Sequence, residues 1–598
     1  MTGPKERKQM KVGLAQVKPI KADLSTNIAR IKMMIAESAD DLDLMVFSET
    51  NLSGYFLEGG VSEVALTVDT LIASLGRPPE NCPDIVLGFY EDHLDGPFNS
   101  VAYFEPGLEH FNLKHVHRKL FLPTYGVFDE ARFVRPGKEL SSFPTKHGMM
   151  GLLVCEDMWH SLPPTILALQ GAELIIGVSA SPARDFKKDG RGLPGNLKRW
   201  DTLTPSIAIE HGVFVVVSQL VGSEAGKIFP GGSIVSSPDG SIIGRSPLME
   251  EGVTSVTIDT EDIYRVRAKT PLLSDLQGTL PVLCKALMEV IEPDSQDESW
   301  MEDHHRSLPR SSATKRQHET SVIPDTEHIF DLDLELVEKV LVEFVRDEFN
   351  RNRGFDKAVI GLSGGVDSSV ALYLAVSALG PENVIGIKMP YATSSTESIE
   401  HADLVLKATM AQEKMVDVSR PIDSYIQEYE EDLSPLRRGN LAARFRSLVL
   451  FDQSAKENAL PLGTGNKSER LLGYYTWHAD DSPPINPIGD LYKTQVWELA
   501  RHLGVPSVIV DKPASADLVT GVNDEDELGI SYEQADPILY WLLEGYSPEE
   551  LKRNGFSDTN VDLVWKRLSQ THWKRELPTV AMMSSTAIGE FYLRPKDF

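Results

Sequence analysis

The residues Gly361-Leu362-Ser363-Gly364-Gly365-Val366-Asp367-Ser368-Ser369 decide the fold of the second half of this chain. They close an apolar run at 357–362 and lead into a helical pattern at 370–379. The order is therefore strand, glycine loop and helix start. Free N–H groups at a helix start attract anions, and Gly364 and Gly365 let the backbone approach one closely. The stretch predicts a phosphate-binding loop.

The spacing of the glycines excludes two common kinds of phosphate-binding loop. No Lys-Ser or Lys-Thr pair follows the glycines, so this is not a Walker A loop, and the dinucleotide fingerprint needs a different spacing. The order Ser-Gly-Gly-Val-Asp-Ser resembles the pyrophosphate loop of the ATP pyrophosphatases, which adenylate a carboxylate or carbonyl and release pyrophosphate. A plain glycine turn is the alternative, but the flanking strand and helix patterns favour the phosphate loop.

Composition excludes several classes of function. The 598 residues carry a formal net charge of -29, which argues against a nucleic-acid or anionic-membrane surface. No apolar run approaches the roughly 18 residues of a membrane span, and the basic start leads into no signal-peptide pattern. Three scattered cysteines, Cys82, Cys155 and Cys284, are too few for a disulfide framework or a zinc site. We expect a cytoplasmic protein that binds small molecules.

A polar stretch from about Glu292 to Glu327 has almost no core-forming residues, which is typical of a linker. We therefore predict a first domain at 1–290, a linker at 291–328 and a second domain at 329–598. In both domains β-branched runs alternate with helical patterns, which indicates layered α/β folds. The second is predicted to be a doubly wound parallel sheet. Predicted strands include 45–47, 85–89, 149–154, 174–178, 213–217, 384–387 and 415–418, and 332–349 is predicted to be a helix.

Three residues of the first half follow strand-like runs or lie in a charged motif. Glu49 follows Asp-Leu-Met-Val-Phe-Ser, Lys119 lies in Arg-Lys-Leu-Phe-Leu-Pro, and Cys155 begins Cys-Glu-Asp-Met-Trp. Strand ends of α/β domains gather catalytic groups. A cysteine beside an ammonium and a carboxylate base can attack as a thiolate, and the ammonium can stabilise the oxyanion of an amide adduct.

These contexts resemble the nitrilase, or carbon–nitrogen hydrolase, superfamily over roughly residues 10 to 285. The resemblance implies an α-β-β-α sandwich with a catalytic triad of Glu49, Lys119 and Cys155. It also implies glutamine contacts at Tyr125, Ser181 and Lys187, whose spacing is kept.

Further motifs of the second half are similar to those of NAD synthetases over about residues 330 to 580. They are Leu462-Gly463-Thr464-Gly465-Asn466-Lys467-Ser468-Glu469, Asn486-Pro487-Ile488-Gly489-Asp490-Leu491-Tyr492-Lys493-Thr494, Lys512-Pro513-Ala514-Ser515-Ala516-Asp517-Leu518, Gly439-Asn440-Leu441-Ala442-Ala443-Arg444 and Lys574-Arg575. With the nitrilase-like front half, the whole chain resembles the glutamine-dependent NAD synthetases.

That resemblance implies a reaction at two sites. Cys155 would release ammonia from glutamine through a thioester, and ATP would adenylate deamido-NAD+, which ammonia then converts to NAD+. Mg2+ would be the cofactor, bound by Asp367, Glu469 and Ser515. The ATP contacts would be the nine loop residues, Thr464, Lys493 and Arg444, and the deamido-NAD+ contacts would be Asn440, Glu469, Asp480 and Lys574. Fused synthetases of this kind generally form homo-oligomers.

Departures from the family pattern lie mostly in the first half. Ser179-Ala180-Ser181-Pro182 replaces Asn-Ala-Ser-Pro, and Gly222-Ser223-Glu224-Ala225-Gly226 replaces a Gly-Gly-Gln-Asp-Glu stretch. The amide pocket is therefore expected to differ. Ala479-Asp480 replaces a Gly-Asp pair and keeps the carboxylate. The acidic run Asp524-Glu525-Asp526-Glu527 is interpreted as a solvated face rather than a metal site.

Three alternatives remain open from the sequence. The enzyme could use free ammonia with a weak glutaminase, or it could adenylate another carboxylate, although the Lys-Pro-x-Ser-Ala-Asp segment argues against that. A non-catalytic front half would be expected to lose at least one residue of the triad, and all three are present.

Overall fold

The computed structural model describes residues 9–57, 60–291, 323, 328–392, 394–430, 432–513, 523–576 and 581. Its strands are β1 (Gln9–Gln16), β2 (Leu44–Phe47), β3 (Asp84–Glu91), β4 (Phe98–Pro106), β5 (Phe111–Arg118), β6 (Phe143–Thr145), β7 (Gly148–Val154), β8 (Leu174–Ser179), β9 (Phe214–Gln219), β10 (Val221–Glu224), β11 (Lys227–Pro230), β12 (Ile234–Ser236), β13 (Ile242–Arg245), β14 (Gly252–Asp259), β15 (Ala358–Leu362), β16 (Val384–Lys388), β17 (Gln412–Met415) and β18 (Leu460–Pro461).

Helices connect these strands and cover their sheets. The α-helices are Leu24–Glu37, Val61–Val64, Val68–Leu75, Leu162–Leu169, Gly195–His211, Glu261–Lys269, Leu272–Ile291, Leu334–Arg346, Val366–Leu379, Thr396–Thr409, Ser419–Tyr429, Pro435–Glu457, Lys467–Leu472, Lys493–Leu503, Ser507–Val510, Asp524–Leu528, Tyr532–Leu543, Pro548–Arg553 and Asp558–Gln570. Shorter 3-10 turns include Glu130–Arg132 and Cys155–Trp159, and a π-helical turn spans Asp347–Arg351.

The first half is a sandwich of two six-stranded sheets with helices outside. One sheet has the order β14-β1-β2-β3-β4-β5 and the other β13-β12-β9-β8-β7-β6. Side chains such as Val46 and Tyr103 of the first sheet and Val154 and Ile176 of the second share one buried core. The near-continuous apolar runs of β2, β7, β8 and β9 reflect burial on both faces. The expected α-β-β-α sandwich is confirmed.

The second half contains a parallel sheet of order β17-β16-β15-β18. The helices Leu334–Arg346, Val366–Leu379 and Lys493–Leu503 share one core with it, and Ser419–Tyr429 and Pro435–Glu457 share another. In this strand order β16 lies on one side of β15 and β18 on the other. The carboxyl end of β15 is therefore a topological switch point, where such folds bind ligands. The doubly wound prediction is confirmed, with a helical cluster built around Leu472, Leu539 and Val561 added to it.

The strand predicted at 415–418 is wrong in its position along the chain. The structure places β17 at Gln412–Met415, on the exposed edge of the sheet, where polar residues suffice because one side meets solvent. Val418 is buried and caps the next helix instead. The predicted linker at 291–328 lies almost wholly outside the described residues, so the domain boundaries stay a prediction. None of the described helices has the length and apolar character needed to cross a membrane.

Candidate active sites

The first site lies where β2, β5 and β7 end. Glu49 follows β2 after one residue, Lys119 follows β5 directly, and Cys155 follows β7 directly. The Lys119 ammonium donates to Glu49 Oε1 at 2.8 Å, and both side chains are fully buried. The backbone N–H of Ala180 donates to Glu49 Oε2 at 2.6 Å, and Ser179 Oγ donates to Cys155 Sγ at 3.4 Å. The structure therefore gathers the three residues that the sequence singled out.

Two further residues, missed from the sequence, complete this cluster. Glu130 Oε2 accepts from Lys119 Nζ at 2.6 Å, and the Asn99 amide donates to both Glu49 and Glu130. Burial raises the pKa of Glu130, and Glu49 adds to the shift while Lys119 opposes it. Glu130 lies in a short 3-10 turn and does not follow a strand, so strand ends did not indicate it. The sequence signal for this residue is the Phe-Asp-Glu segment, whose glutamate lies eleven residues after Lys119.

The surroundings of Cys155 favour its thiol form over the thiolate. Burial raises its pKa, Glu49 raises it further, and Lys119 only partly offsets them. Attack as a thiolate, as expected from the sequence, therefore needs a neighbouring base to take the proton, because the low-dielectric site disfavours the charged form. For Lys119, burial alone would lower the pKa, but Glu130 and Glu49 outweigh it and raise the pKa well above its ordinary value. The cluster therefore favours the charged form of Lys119 and the neutral form of Cys155.

The Cys155 backbone has φ of +43°, a left-handed conformation that costs energy for a side-chain residue. The chain leaves β7 and turns at once into the 3-10 turn Cys155–Trp159. This sharp turn keeps Sγ at the strand end beside the two buried carboxylates.

The second site is built on the loop after β15. The loop joins Leu362 to the helix that begins at Val366. Gly364 has φ of +76°, and a Cβ there would lie 2.0 Å from the carbonyl oxygen of Ser398, so only glycine fits. Ser363 Oγ accepts from the Gly365 N–H at 3.2 Å, which tightens the turn. The loop presents the start of a 14-residue helix to the cavity beside it.

A buried cation and two carboxylates lie beside this loop. Lys493 donates to Asp367 and, at 3.5 Å, to Glu469 Oε1, and the Asn466 amide donates to Asp367 Oδ1 at 3.0 Å. Burial and Asp367 raise the pKa of Glu469 to about 8 against the opposing effect of Lys493. Burial would lower the pKa of Lys493, but Asp367 and Glu469 outweigh it and raise the pKa.

Two connected cavities open at this switch point. The first, about 1140 Å³ with its open mouth, is lined by residues that include Ser363, Gly365, Val366, Asp367, Thr464, Glu469, Asp480 and Lys493. The second, about 920 Å³, has a more apolar wall that includes Gly361, Leu362, Met389, Ile399 and Leu450. Ser363, Thr464 and Asp480 line both. Gly364, Ser368 and Ser369 line neither and shape the loop from behind.

The two halves match two different family models. Residues 11–268 match the carbon-nitrogen hydrolase model, and residues 337–578 match the NAD synthase model. The chain is 31% identical over 602 residues to the glutamine-dependent NAD(+) synthetase of Aquifex aeolicus, covering 97% of this chain and 98% of that protein. It belongs to the glutamine-dependent NAD(+) synthetase family. The resemblance inferred from the motifs is thereby confirmed.

Other relatives agree on each part. The NH(3)-dependent NAD(+) synthetase of Fusobacterium nucleatum is 45% identical over 252 residues, which is 42% of this chain and 97% of that protein. The structure of a glutamine-dependent NAD+ synthetase from Acinetobacter baumannii, in complex with ADP, has a TM-score of 0.68 at 23% identity and covers 98% of both chains. At that identity the match supports the fold alone.

The three predicted glutamine contacts of this chain have different surroundings. Tyr125 is exposed and donates to Glu156, beside Cys155, at 2.7 Å. Ser181 is buried, and its Oγ accepts from the Asn196 amide at 3.1 Å. Lys187 is exposed on the wall of a third cavity, which lies between the two halves.

The predicted nucleotide contacts also have different surroundings. Arg444 is exposed, donates to the Trp477 carbonyl at 3.3 Å and lines neither nucleotide cavity, whereas Arg446, missed from the sequence, lines the second. Asn440 accepts from Thr476 Oγ1 at 2.9 Å, and Lys574 donates to the carbonyl oxygens of Gly473 and Tyr475. Both thus brace a segment next to the first cavity, and burial raises the pKa of Asp480 within it. Ser515 lies outside the described residues.

The acidic run at 524–527 is not wholly a solvated face. Asp524 is buried, lines the first cavity and accepts from Tyr474 OH at 3.1 Å. The interpretation is therefore wrong for Asp524, which is the first residue of a short helix whose remaining acidic residues continue the run.

The third cavity, about 1910 Å³, touches both halves. Its first-half wall includes Val127, Ala183 and Lys187. Arg470 and Asn486 line both this cavity and the first nucleotide cavity, while Val127 also lines a small pocket that contains Tyr55 and Glu130. Neighbouring cavities that share lining residues thus occur between the pocket at Glu130 in the first half and the phosphate loop of the second.

Proposed function

We propose that this chain makes NAD+ from deamido-NAD+, taking nitrogen from glutamine and energy from ATP. One observation carries the proposal: a buried Cys-Lys-Glu cluster and a nucleotide-sized cavity on a pyrophosphate loop occur in one chain of this family. The first arrangement suits amide hydrolysis and the second suits adenylation.

At the first site Cys155 Sγ attacks the side-chain amide carbon of glutamine while Glu49 takes the thiol proton. The Lys119 ammonium stabilises the oxyanion that forms. Collapse of the adduct breaks the C–N bond, and the proton held by Glu49 leaves with ammonia. Water, deprotonated by Glu49, then hydrolyses the thioester to glutamate and restores the thiol. The raised pKa of Cys155 supports this order, because the thiol needs a base at the moment of attack.

At the second site a carboxylate oxygen of deamido-NAD+ attacks the α-phosphorus of ATP, and pyrophosphate leaves. Ammonia attacks the acyl carbon of the adenylate, AMP leaves and the nitrogen loses a proton. The N–H groups at the start of the helix Val366–Leu379 hold the pyrophosphate, and Lys493 supplies positive charge beside them. The apolar second cavity suits the adenine ring.

Mg2+ fits the residues at this site. Asp367 and Glu469 are hard oxygen ligands, and Mg2+ is usually held by one or two carboxylates together with substrate phosphates. No group of three His, Cys, Asp or Glu side chains suited to a metal occurs in the part of the chain that the structure describes, so phosphate oxygens would have to complete the site. Bound there, the ion would neutralise phosphate charge during adenylation.

Ammonia passes from the first site to the second through the cavity between the halves. Ammonia released into water at neutral pH would be protonated and lost as a nucleophile. The cavity reaches Val127 on one side and Arg470 and Asn486 on the other, which supports this route. We further propose that the enzyme acts in the cytoplasm as a homo-oligomer without nucleic-acid or membrane partners. Sedimentation of the purified chain tests the oligomer.

The deciding experiment measures NAD+ formation from deamido-NAD+, ATP and Mg2+ with either glutamine or ammonium, in the native chain and in Cys155→Ala. We expect glutamine to work only with Cys155 and ammonium to work in both. Activity with ammonium alone in the native chain would favour the ammonia-dependent alternative. Failure of both donors would show that another carboxylate is the acceptor.

A further inference from the structure

A fully buried carboxylate, Asp157, joins the backbones that carry the nucleophile and the cation of the first site. Its Oδ1 accepts from the N–H groups of Leu120 at 2.9 Å and Phe121 at 3.0 Å, directly after Lys119. Its Oδ2 accepts from the N–H of Val154 at 3.1 Å, directly before Cys155. One side chain therefore binds both catalytic segments at once.

A second buried side chain fixes that carboxylate. His117 Nε2 lies 2.8 Å from Asp157 Oδ2, and because an ionised carboxylate can only accept, Nε2–H is the donor. The exposed fractions of the two side chains are 1% and 0%. His117 is also part of β5, two residues before Lys119. Four donors thus hold the carboxylate from both strand ends.

The backbone of Cys155 needs such support. Its φ of +43° is strained, and strained residues persist only where their surroundings hold them. Lys119 Nζ itself is engaged by Glu49 and Glu130, so its position relative to Sγ depends on how the ends of β5 and β7 are joined. Asp157 makes that join.

We propose that Asp157, held by His117, is a positioning residue that sets Cys155 Sγ against the Lys119–Glu49 pair for glutamine hydrolysis. This inference rests on the proposed glutaminase function. Neither side chain contacts the substrate amide in the proposal; both act through the backbone on either side of the catalytic groups. A displacement of about 1 Å at such a site can lower turnover about 10²-fold.

The experiment uses the full chain with the exposed Cys284 changed to serine in every variant. Asp157→Asn replaces one acceptor oxygen by an amide, which leaves the Val154 N–H without its partner. His117→Phe removes the donor to Oδ2, and His117→Gln restores one. Asp84→Asn and His211→Gln are matched controls, because both residues are buried in the same half but hydrogen-bond elsewhere, Asp84 to Tyr103 and His211 to Thr165.

Glutaminase kcat is measured per reactive Cys155 thiol, together with KM for glutamine. We expect Asp157→Asn to lower kcat about 10²-fold with little change in KM. His117→Phe should lower it about tenfold, the worth of one hydrogen bond to a charged group, and His117→Gln should recover most of that loss. NAD+ formation from ammonium should match the native chain throughout, which shows that the second site is unaffected.

A second readout does not depend on glutamine. The rate at which iodoacetamide alkylates Cys155, read by mass spectrometry, should fall about tenfold in Asp157→Asn and stay at the native value in both controls. If the native chain hydrolyses no glutamine, the proposed function fails, while this rate still tests the positioning. Kcat per thiol and alkylation rates equal to the controls would overturn the inference, as would His117→Gln behaving like His117→Phe.

Discussion

Lys119 Nζ lies 2.6 Å from Glu130 Oε2, and the ammonium is fully buried. The same nitrogen lies 2.8 Å from Glu49 Oε1. One cation therefore serves two carboxyl groups in a low-dielectric site. Glu49 therefore shares the ammonium with Glu130 instead of pairing with it alone.

Glu130→Gln tests that relationship. With Glu130 neutral, Lys119 pairs with Glu49 alone and makes it a weaker base. We expect glutaminase kcat to fall about 10²-fold, the low end of a general-base contribution, while NAD+ formation from ammonium is retained. Glu91→Gln is the control, because Glu91 is equally buried but pairs with Arg118. Equal activity in the two variants would show that Glu130 has no part in the reaction.

Gly364→Ala should abolish synthesis with both nitrogen donors. A Cβ there would lie 2.0 Å from the Ser398 carbonyl oxygen, so the loop or the helix Thr396–Thr409 must move. Gly354→Ala is the matched control, since its φ is +71° but nothing lies within 4 Å of its Cβ. Both pay the left-handed strain of about 1–2 kcal/mol, but only the first also clashes. We expect at least about a 10²-fold loss in Gly364→Ala, with glutamate release from glutamine unchanged.

Lys493→Met should lower the free energy of unfolding of the second half. It leaves Asp367 and Glu469, each with 17% of its side chain exposed, side by side without their buried cation. Breaking a fully buried pair costs about 3–5 kcal/mol, and we expect a loss toward the lower end of that range. Lys467→Met, which removes an exposed pair with Asp490, should cost at most about 1 kcal/mol. Denaturant unfolding of the two variants checks the difference, and equal midpoints would contradict it.

The sequence predicted elements that local chemistry specifies. The phosphate loop was predictable because its glycines, strand and helix are consecutive, although the helix begins at Val366 rather than at 370. Glu49, Lys119 and Cys155 were predictable because catalytic groups gather at strand ends in α/β domains. The structure adds that β2 and β5 belong to one sheet and β7 to the other, so the three residues meet across the sandwich. These signals are short in range and strong in pattern.

Residues that reach a site only through tertiary packing were not predicted from the sequence. Glu130 reaches Lys119 from a turn that no periodicity marks, and Asp524 is buried although it starts an acidic run that resembles a surface. Arg446 rather than Arg444 lines the second cavity, because the two residues lie on different faces of the helix Pro435–Glu457. Whether such a residue is buried or lines a cavity depends on which face of its helix or turn the neighbouring elements cover.

Acid should destabilise the first half through His115. Burial, and secondarily the charge of His117, lowers the pKa of His115 to about 4, and its ring stacks on Phe143. The unfolded chain takes up this proton near pH 6.5 but the native chain only near pH 4, so stability falls as the pH drops between those values. His115→Gln should reduce the loss of melting temperature between pH 7.5 and pH 5. An unchanged loss would rule out His115 as a source.

Narrowing the cavity between the halves at Ala183 should separate the two reactions. Ala183→Trp adds a large side chain to its first-half wall, and Ala286→Trp, on an exposed helix, is the control. In the native chain, ammonia that stays inside gives about one NAD+ per glutamate. In Ala183→Trp we expect glutamate release and ammonium-driven synthesis to continue while glutamine-driven synthesis falls, because ammonia escapes before it reaches the adenylate. Glutamate and NAD+ counted in the same reaction give the ratio directly. A ratio that stays at one in Ala183→Trp, with ammonium-driven synthesis intact, would show that ammonia does not pass beside Ala183.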